Sequence, residues 1–320
     1  MKAAVYYENG PPSVFRYEEV PDPKCHPKGV LIRVAAVSIE GGDLLHRVGA
    51  PLASRPHVVG YQAAGEIVEV GADVTQLRLG QNVVTVDAAG SHAELRSVPA
   101  RSCWVVPDGA DLRAIACVPI PFGTADDCLF EFGRLRAGET VLVQGGGGGV
   151  GLAAIQLAKR AGATVIATAS NNEKLERLRQ YGMDHGINYS DQDLVRETKL
   201  LTKGRGADVI VDPVGGTTLQ QSILALAYRG RVAMVGRAGR ELVKHDVSSL
   251  MQGNQCLVGV FLGAEMATDR VHDMIQRHVN DVAAGKLAVV IDRAFPLRDA
   301  AAAHAHIESR QAFGRVLLLP

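Results

Sequence analysis

The sequence predicts an α/β protein of two parts, a mostly-β unit joined to a doubly wound parallel sheet. Three observations carry that prediction. At 320 residues the chain exceeds what one hydrophobic core usually serves. Its first third reads as short strands broken by Gly and Pro, the pattern of a β-rich domain. From about Gly138 onward, apolar runs alternate with helical segments, the mark of a parallel sheet with crossover helices.

The elements follow in order. Gly29 to Val37 reads as a strand ending in Ser38, Ala63 to Gly71 alternates and stops on a glycine, and Gln81 to Val86 is a further strand. In the second part, strands are expected from Thr140 to Val143, Thr164 to Ala169, Val209 to Asp212, Val232 to Gly236 and Leu257 to Phe261. Helices from Val150 to Ala161 and from Glu173 to Tyr181 lie between them. Near the end, Val271 to Ala284 and Arg298 to Ser309 read as helices, and Gly314 to Leu319 as a closing strand that rejoins the first part. The expected division is therefore 1–120 with 264–320, and 121–263.

Bulk properties narrow the function. Lys plus Arg and Asp plus Glu number 34 each, so net charge offers a polyanion nothing, and no basic stripe suggests nucleic acid. Hydrophobic content of 47% is that of an ordinary globular protein. Met1 to Glu8 lacks the apolar core of a signal peptide, and no apolar run is long enough to span a bilayer, so a cytoplasmic protein with no membrane partner is expected. The five cysteines are scattered without C-x-x-C spacing, which argues against a zinc cage or a disulfide framework. His304 and His306 stand two apart, on different faces of a helix, and no H-E-x-x-H occurs.

The most informative stretch is Val141-Leu142-Val143-Gln144 followed by five glycines, Gly145 to Gly149, and then Val150-Gly151-Leu152-Ala153-Ala154. Gly146, Gly148 and Gly151 fit G-x-G-x-x-G. Their expected roles are a tight turn, room for a pyrophosphate, and close packing of helix on strand. The N–H groups of Gly149, Val150 and Gly151, in the first helical turn, would hold the phosphates. A glycine run also serves as a flexible loop. The strand before it and the helix after it favour a dinucleotide site.

The end of the second strand of that unit bears on which dinucleotide. Val165 to Ala169 runs into Ser170-Asn171-Asn172-Glu173-Lys174, with no acid at the tip to bond a ribose 2′-hydroxyl. Ser170 or Asn171, with Lys174, suits a 2′-phosphate, which points to NADPH. Ser170 or Asn171 with Glu173 also forms a capping box, and Lys174 also reads as a helix-surface charge.

Nearly the whole chain takes part in a resemblance. It is carried by Met1-Lys2-Ala3 with Tyr17-Glu18-Glu19-Val20-Pro21, by Gly60-Tyr61-Gln62-Ala63-Ala64-Gly65-Glu66-Ile67-Val68-Glu69-Val70-Gly71, and by Leu135 to Val143. Asn188-Tyr189, Asp212-Pro213-Val214-Gly215-Gly216 and Gly314-Arg315-Val316 complete it. Together these resemble the quinone oxidoreductase (zeta-crystallin-like) branch of the zinc-free medium-chain dehydrogenase/reductase superfamily. The resemblance implies a GroES-like N-terminal domain, a Rossmann domain and a cleft holding the nicotinamide. It adds Tyr189 to the 2′-phosphate site and brings Thr124 near the nicotinamide, where a helix N-cap after Pro121 and Gly123 is the structural alternative. Gly236, Val260 and Phe261 would turn backbone groups to the nicotinamide end, although sheet core also explains the apolar pair. Arg315 would reach the cofactor phosphates or form a surface ion pair.

Departures from the zinc-dependent relatives bear on the chemistry. Those enzymes have cysteine at Glu40, a His-Glu pair at Tyr61-Gln62, and four cysteines in the loop after Val86. Tyr and Gln are poor zinc ligands, and a hydride-transfer zinc needs three good ones, so no metal is expected. Glu40, Asp43 and His46 are near enough in sequence to suggest a cation site, against the plainer reading of solvated loop charges. Without zinc the acceptor must already be electrophilic. Glu40 and Tyr61 are the candidate proton donors, with a surface pair to Arg47 as the alternative for Glu40. Glu40, Leu45, Tyr61 and Asp127 are the candidate substrate pocket, and Glu40, Leu45 and Asp126-Asp127 depart from the residues usual in the branch.

The resulting expectation is an NADPH-dependent, zinc-independent oxidoreductase that passes hydride to a quinone or an α,β-unsaturated carbonyl. The alternatives are an enoyl-thioester reductase, a metal-assisted alcohol dehydrogenase, and a protein that holds NADPH with little turnover. Asn254 to Phe261 resembles an edge strand that pairs with its copy, so a homodimer is expected.

Overall fold

The computed structural model describes all 320 residues, Met1–Pro320. They fall into two units, Met1–Ile120 with Met266–Pro320, and Pro121–Glu265. Along the first unit run β1 (Lys2–Tyr6), β2 (Arg16–Glu19), β3 (Gly29–Ser38), α1 (Gly41–Gly49), β4 (His57–Val58) and β5 (Gln62–Val70). There follow β6 (Asn82–Val86), β7 (Leu95–Pro99), β8 (Cys103–Val105) and α2 (Leu112–Ile115), and α3 (Pro119–Asp126) leads into the second unit. That unit contains β9 (Thr140–Val143), α4 (Gly149–Arg160), β10 (Thr164–Ala169), α5 (Asn172–Arg179), β11 (His185–Asn188), α6 (Leu194–Leu201) and β12 (Ala207–Asp212). It continues with α7 (Gly216–Leu224), β13 (Leu226–Met234), α8 (Ser249–Gln252), β14 (Cys256–Gly259) and α9 (Leu262–Glu265). The chain then returns to the first unit through α10 (Asp269–Ala283), β15 (Ile291–Pro296), α11 (Ala300–Glu308) and β16 (Arg315–Leu319).

In the second unit the sheet order is β11-β10-β9-β12-β13-β14, with every neighbour parallel. Order reverses between β9 and β12, the switch point at whose carboxyl edge such sheets bind ligands. Both faces of this sheet are covered, which is why Val141, Leu142 and Val143 are all buried and the strand reads as a continuous apolar run. In the first unit β15-β16-β3-β5-β6-β8 form one sheet with β7 also on β3, and β2-β1-β4 form a smaller one. Alternation along β3 turns Val30, Ile32 and Val34 into a core that Val316 and Leu318 of β16 and Leu297, Ala300 and Ala303 complete. The C-terminal strand therefore closes the N-terminal sheet. No helix is long and apolar enough to cross a membrane.

Several elements differ from the sequence reading. The last parallel strand, β14, stops at Gly259, so Val260 and Phe261 lie beyond it, and β13 begins six residues earlier than the run from Val232 suggests. Sequence pattern misses β11, because His185-Gly186-Ile187-Asn188 lacks a β-branched run; its pairing to β10 over Ile166–Ala169 makes it a strand. It also misses α1, whose glycine-rich start, Gly41-Gly42, is a poor helix former.

His304 and His306 do face different ways. His306 Nε2 meets Asp292 Oδ2 at 2.7 Å, whereas His304 is fully buried against His92, Nε2 to Nε2 at 3.0 Å. Arg47 Nη1, at 3.2 Å, has only protons to offer His304 Nδ1. His304 Nε2 therefore carries the proton given to His92 Nε2, and His92 Nδ1 donates to Ser91 Oγ at 3.2 Å. Both rings must stay neutral. Burial pushes His92 down to about 3, and burial, with His92 and the Arg47 guanidinium beside it, holds His304 well below the usual range. Cationic groups so depressed contribute stability above the unfolded value near 6.5 that is lost as pH falls below it. Between pH 7.5 and 5.5 both are expected to remove unfolding free energy, on the order of 1 kcal/mol for His92. Urea denaturation of the wild type and His304→Gln at both pH values checks this, since the variant must show the smaller acid loss.

Candidate active site

The glycine-rich loop sits at the carboxyl end of β9. Its tight turn falls on Gly145, with φ +61°, and not on Gly146 as the motif spacing suggested. Gly146 is needed for a different reason: a Cβ there would stand 2.7 Å from Leu178 Cδ1 and 3.1 Å from Ala167 Cβ. Gly151 packs closer than Gly146, since a Cβ there would lie 2.4 Å from the carbonyl oxygen of Gly145. Gly148 is exposed and is the N-cap of α4, but it has no side chain to cap with. The first rung of the helix ladder is Leu152 N–H to Gly148 O at 2.9 Å. The N–H groups of Gly149, Val150 and Gly151 thus precede the ladder, at the positive end of a twelve-residue helix. A cradle of backbone donors with an uncovered glycine fits a pyrophosphate.

At the tip of β10, Ser170 and Asn171 lie next to Tyr189, whose N–H donates to Ala169 O at 3.1 Å. Ser190 Oγ donates to Ser170 O at 2.8 Å, which ties the ends of β10 and β11 together. Asn171 is the helix cap, accepting from Lys174 N–H at 2.8 Å through Oδ1. This corrects the capping box, because the third helical position is Lys174 and Glu173 is one too early to reciprocate. The Tyr189 side chain is half exposed. The structure thus groups Ser170, Asn171, Lys174 and Tyr189 at one corner of the sheet, a set of hydroxyl, amide and ammonium groups with no carboxylate among those four.

Thr124 lies inside α3 and is buried, so the alternative of a helix N-cap falls: the helix has already begun at Pro119. Gly236 follows β13, and a Cβ there would stand 2.6 Å from Pro213 O. Val260 is buried and donates its N–H to Met234 O at 2.8 Å, while Phe261 is 75% exposed, which rules out sheet core as the explanation for its identity. Asp127 is fully buried in a π-helical turn, Asp127–Glu131, and a carboxyl so placed lines no open surface.

The remaining candidates belong to the first unit. Glu40, buried just before α1, accepts at Oε1 from Arg315 Nη2 and from Gln62 Nε2, both at close range. Arg315 also donates to Ser38 Oγ at 2.8 Å and to Ile39 O at 2.6 Å. Gln62 Oε1 takes the N–H of Ile120 at 3.0 Å. Two sequence readings are corrected here. Glu40 does not pair with Arg47, which binds Glu308 at 2.5 Å, and the ion pair that Arg315 makes is buried in its own unit and is not a surface pair. Sequence gave no hint of either partner.

Asp43 accepts from Glu40 N–H at 2.8 Å and from Tyr61 N–H at 3.1 Å, one through each carboxylate oxygen. It pins the start of α1 to the backbone of Tyr61. The Tyr61 ring lies over Gly42, where a Cβ would stand 2.1 Å from Cε2. Burial raises the Glu40 carboxyl to about 8 against the pull of Arg315, and raises Asp43 to about 7 against its two backbone donors. Burial and the charges of Asp43 and Glu40 push the Tyr61 phenol up to about 12, so it keeps its proton throughout the neutral range. Leu45 is 40% exposed on α1.

Arg96 is a residue that sequence reasoning missed. Its buried guanidinium donates to the carbonyls of Tyr61 at 2.8 Å and Ala89 at 3.0 Å and to Thr85 Oγ1 at 3.0 Å, stapling the short loop after β6 to Tyr61. A signal was present: alternation along Leu95-Arg96-Ser97-Val98 puts Arg96 on the inward face with Val98. No group of three or more His, Cys, Asp or Glu side chains is arranged to hold a metal ion.

Comparison with known proteins agrees with this architecture. Residues 26–108 match the alcohol dehydrogenase GroES-like domain, and residues 149–278 match the family described as zinc-binding dehydrogenase. A 2-haloacrylate reductase from a Burkholderia species is 34% identical over 99% of this chain and 98% of its own. A quinone oxidoreductase of Pseudomonas aeruginosa is 30% identical over 97% of each. The chain belongs to the quinone oxidoreductase branch of the medium-chain dehydrogenase/reductase superfamily. Within it, the Escherichia coli quinone oxidoreductase, solved in complex with NADPH, superposes with a TM-score of 0.94 at 27% identity over all of both chains. The α/β fold, with its GroES-like unit and its Rossmann-type parallel sheet, is that of this branch.

Proposed function

We propose that the protein is an NADPH-dependent reductase that passes hydride to a quinone or an α,β-unsaturated carbonyl without help from a catalytic zinc. The observation that carries this reading is the donor set of the first unit. Glu40 is spent on Arg315 and Gln62, and the two residues that follow Gly60 are a phenol and an amide. Such a set lacks the three good ligands of a hydride-transfer zinc, so the acceptor must be electrophilic by itself. The cofactor is NADPH, whose nicotinamide supplies hydride when bound. Gly149, Val150 and Gly151 hold its pyrophosphate through backbone N–H groups, while Ser170, Asn171, Lys174 and Tyr189 receive its 2′-phosphate.

The chain's own chemistry is then orientation and one proton. Tyr61 donates that proton to the oxygen of the reduced acceptor, being a phenol that stays protonated near neutrality. Asp43 and Arg96 fix its backbone, and Gly42 gives its ring a seat. Glu40 acts as a tether that keeps the start of α1 against β16, a role its two close donors favour over that of acid.

Purified protein is expected to oxidise NADPH with small quinones or enones and to keep that activity after chelation. Turnover only with enoyl thioesters, or loss on chelation, would replace this reading with one of the alternatives. Tyr61→Phe is expected to lower kcat for an enone by about a hundredfold and leave the Kd for NADPH unchanged. An unchanged kcat would remove Tyr61 as the donor.

A further inference from the structure

Beneath the glycine loop runs a buried hydrogen-bonded chain that crosses the carboxyl edge of the second unit's sheet. Gly145 N–H meets Thr168 Oγ1 at 3.0 Å, and Thr168 Oγ1 meets Gln144 Oε1 at 3.0 Å. Gln144 Nε2 meets Ser222 Oγ at 3.0 Å, and Ser222 Oγ meets Asp212 Oδ2 at 2.9 Å. All four side chains are buried, none above 1% exposed. The other oxygen of Asp212 takes the N–H groups of Val214 and Gly215, each at 2.9 Å.

Only one direction of donation satisfies every member. A carboxylate accepts, so the Ser222 hydroxyl gives its proton to Asp212 and takes one from the Gln144 amide nitrogen. The Gln144 oxygen then faces Thr168, whose proton it receives. Thr168 is left with a lone pair for Gly145 N–H. Buried chains polarised in one sense strengthen one another, and a single break leaves costly unpaired groups. The anchor at β12 thus sets the orientation of the Gln144–Gly145 peptide, and the carbonyl of the next peptide, Gly145 O, accepts Gly148 N–H at 3.0 Å. Thr168 holds the loop twice, since its backbone oxygen also takes Gly146 N–H at 2.8 Å.

We propose that Gln144 and Thr168 are positioning residues for the dinucleotide, the links through which Asp212 sets the attitude of the phosphate-holding loop. This rests on the reading that the loop binds NADPH. Neither residue touches the phosphates. They act by pre-orienting the backbone that does, which lowers the ordering cost of binding. Because the pyrophosphate is common to NADPH and NADH, the effect of loosening the chain falls equally on both.

Titration calorimetry of wild type, Gln144→Met, Thr168→Val, Thr168→Ser and Ser222→Ala with NADPH and with NADH tests this. Gln144→Met and Thr168→Val are expected to raise both Kd values about tenfold, with kcat at saturating NADPH within twofold of wild type. Thr168→Ser keeps the hydroxyl and is expected to stay within twofold in Kd. Hydrogen exchange of the peptide bearing Gly145 is expected to quicken in the two disruptive variants without cofactor. Wild-type affinity in a folded Gln144→Met or Thr168→Val, or equal loss in Thr168→Ser, overturns the proposal. Should Gln144→Met fail to fold, Thr168→Val and Ser222→Ala carry the same test. A wild type that binds no NADPH sinks the functional reading and this one together, whereas a binding wild type with unaffected variants sinks this one alone.

Discussion

Arg315→Met is expected to destabilise the protein by about 3 kcal/mol or more above pH 8.5, and by clearly less at pH 6. The guanidinium and Glu40 are both nearly excluded from water, with side-chain exposures of 11% and 7%. Removing one partner of a buried pair leaves the other's charge uncompensated, and that costs far more than a surface pair is worth. Glu40 has one escape, which is to take up a proton. Burial already holds its carboxyl near 8 with Arg315 in place, and without Arg315 it rises further. A carboxyl raised above its unfolded value near 4.3 contributes stability at low pH that is lost as pH climbs through the folded value. The deficit of the variant must therefore widen with pH. Adding Glu40→Gln to Arg315→Met removes the stranded charge, so the double variant is expected to be more stable than Arg315→Met alone at pH 8.5. Urea denaturation at the two pH values reads all of this. A deficit under about 1 kcal/mol at both would show that the pair behaves as a surface contact.

Gly151→Ala is expected to abolish tight NADPH binding, raising Kd at least a hundredfold, equivalent to about 2.7 kcal/mol. The added Cβ would meet Gly145 O at 2.4 Å and Gly146 Cα at 2.8 Å. Both are backbone atoms, so no rotamer change relieves the clash and α4 must back away from the loop. Some loss of stability, about 1–3 kcal/mol, accompanies the strain. Gly148→Ala separates the two effects. Its Cβ finds its nearest neighbour, Gly145 O, at 3.4 Å, so the free protein accepts it, yet if the loop holds the pyrophosphate as proposed the methyl would crowd it. Weak NADPH binding with a wild-type melting temperature is expected for Gly148→Ala. Full-strength binding in Gly151→Ala would mean that the loop does not hold the cofactor.

What sequence made legible was local. The run from Val141 through Leu152 announces strand, turn and helix within a dozen residues, and the structure has each of them. Even there the turn moved by one glycine, because five in a row leave the position of the positive φ undetermined by pattern alone. The strands of the parallel sheet were readable because burial on both faces demands unbroken apolar runs, whereas β11, at the sheet's edge, carries no such demand. The contacts that define the first unit's cluster were not readable. Glu40 meets Arg315 across 275 positions and His92 meets His304 across 212, and no spacing rule reaches so far. Inward-facing arginines such as Arg47 and Arg96 are also easily mistaken for solvated charges, since composition alone favours the surface for them.

The closure of the N-terminal sheet by β16 has a consequence for synthesis. The second unit is one uninterrupted stretch, Pro121–Glu265, and can mature while translation continues. The first unit cannot. Glu40 is made 275 residues before its partner, a wait of some tens of seconds at about 5–20 residues per second. Throughout that interval the tether has no cation, and the nascent sheet lacks the strand that covers β3. A ribosome stalled a few codons short of Arg315 would therefore hold a finished dinucleotide unit beside an unfinished partner, open to chaperones and proteases.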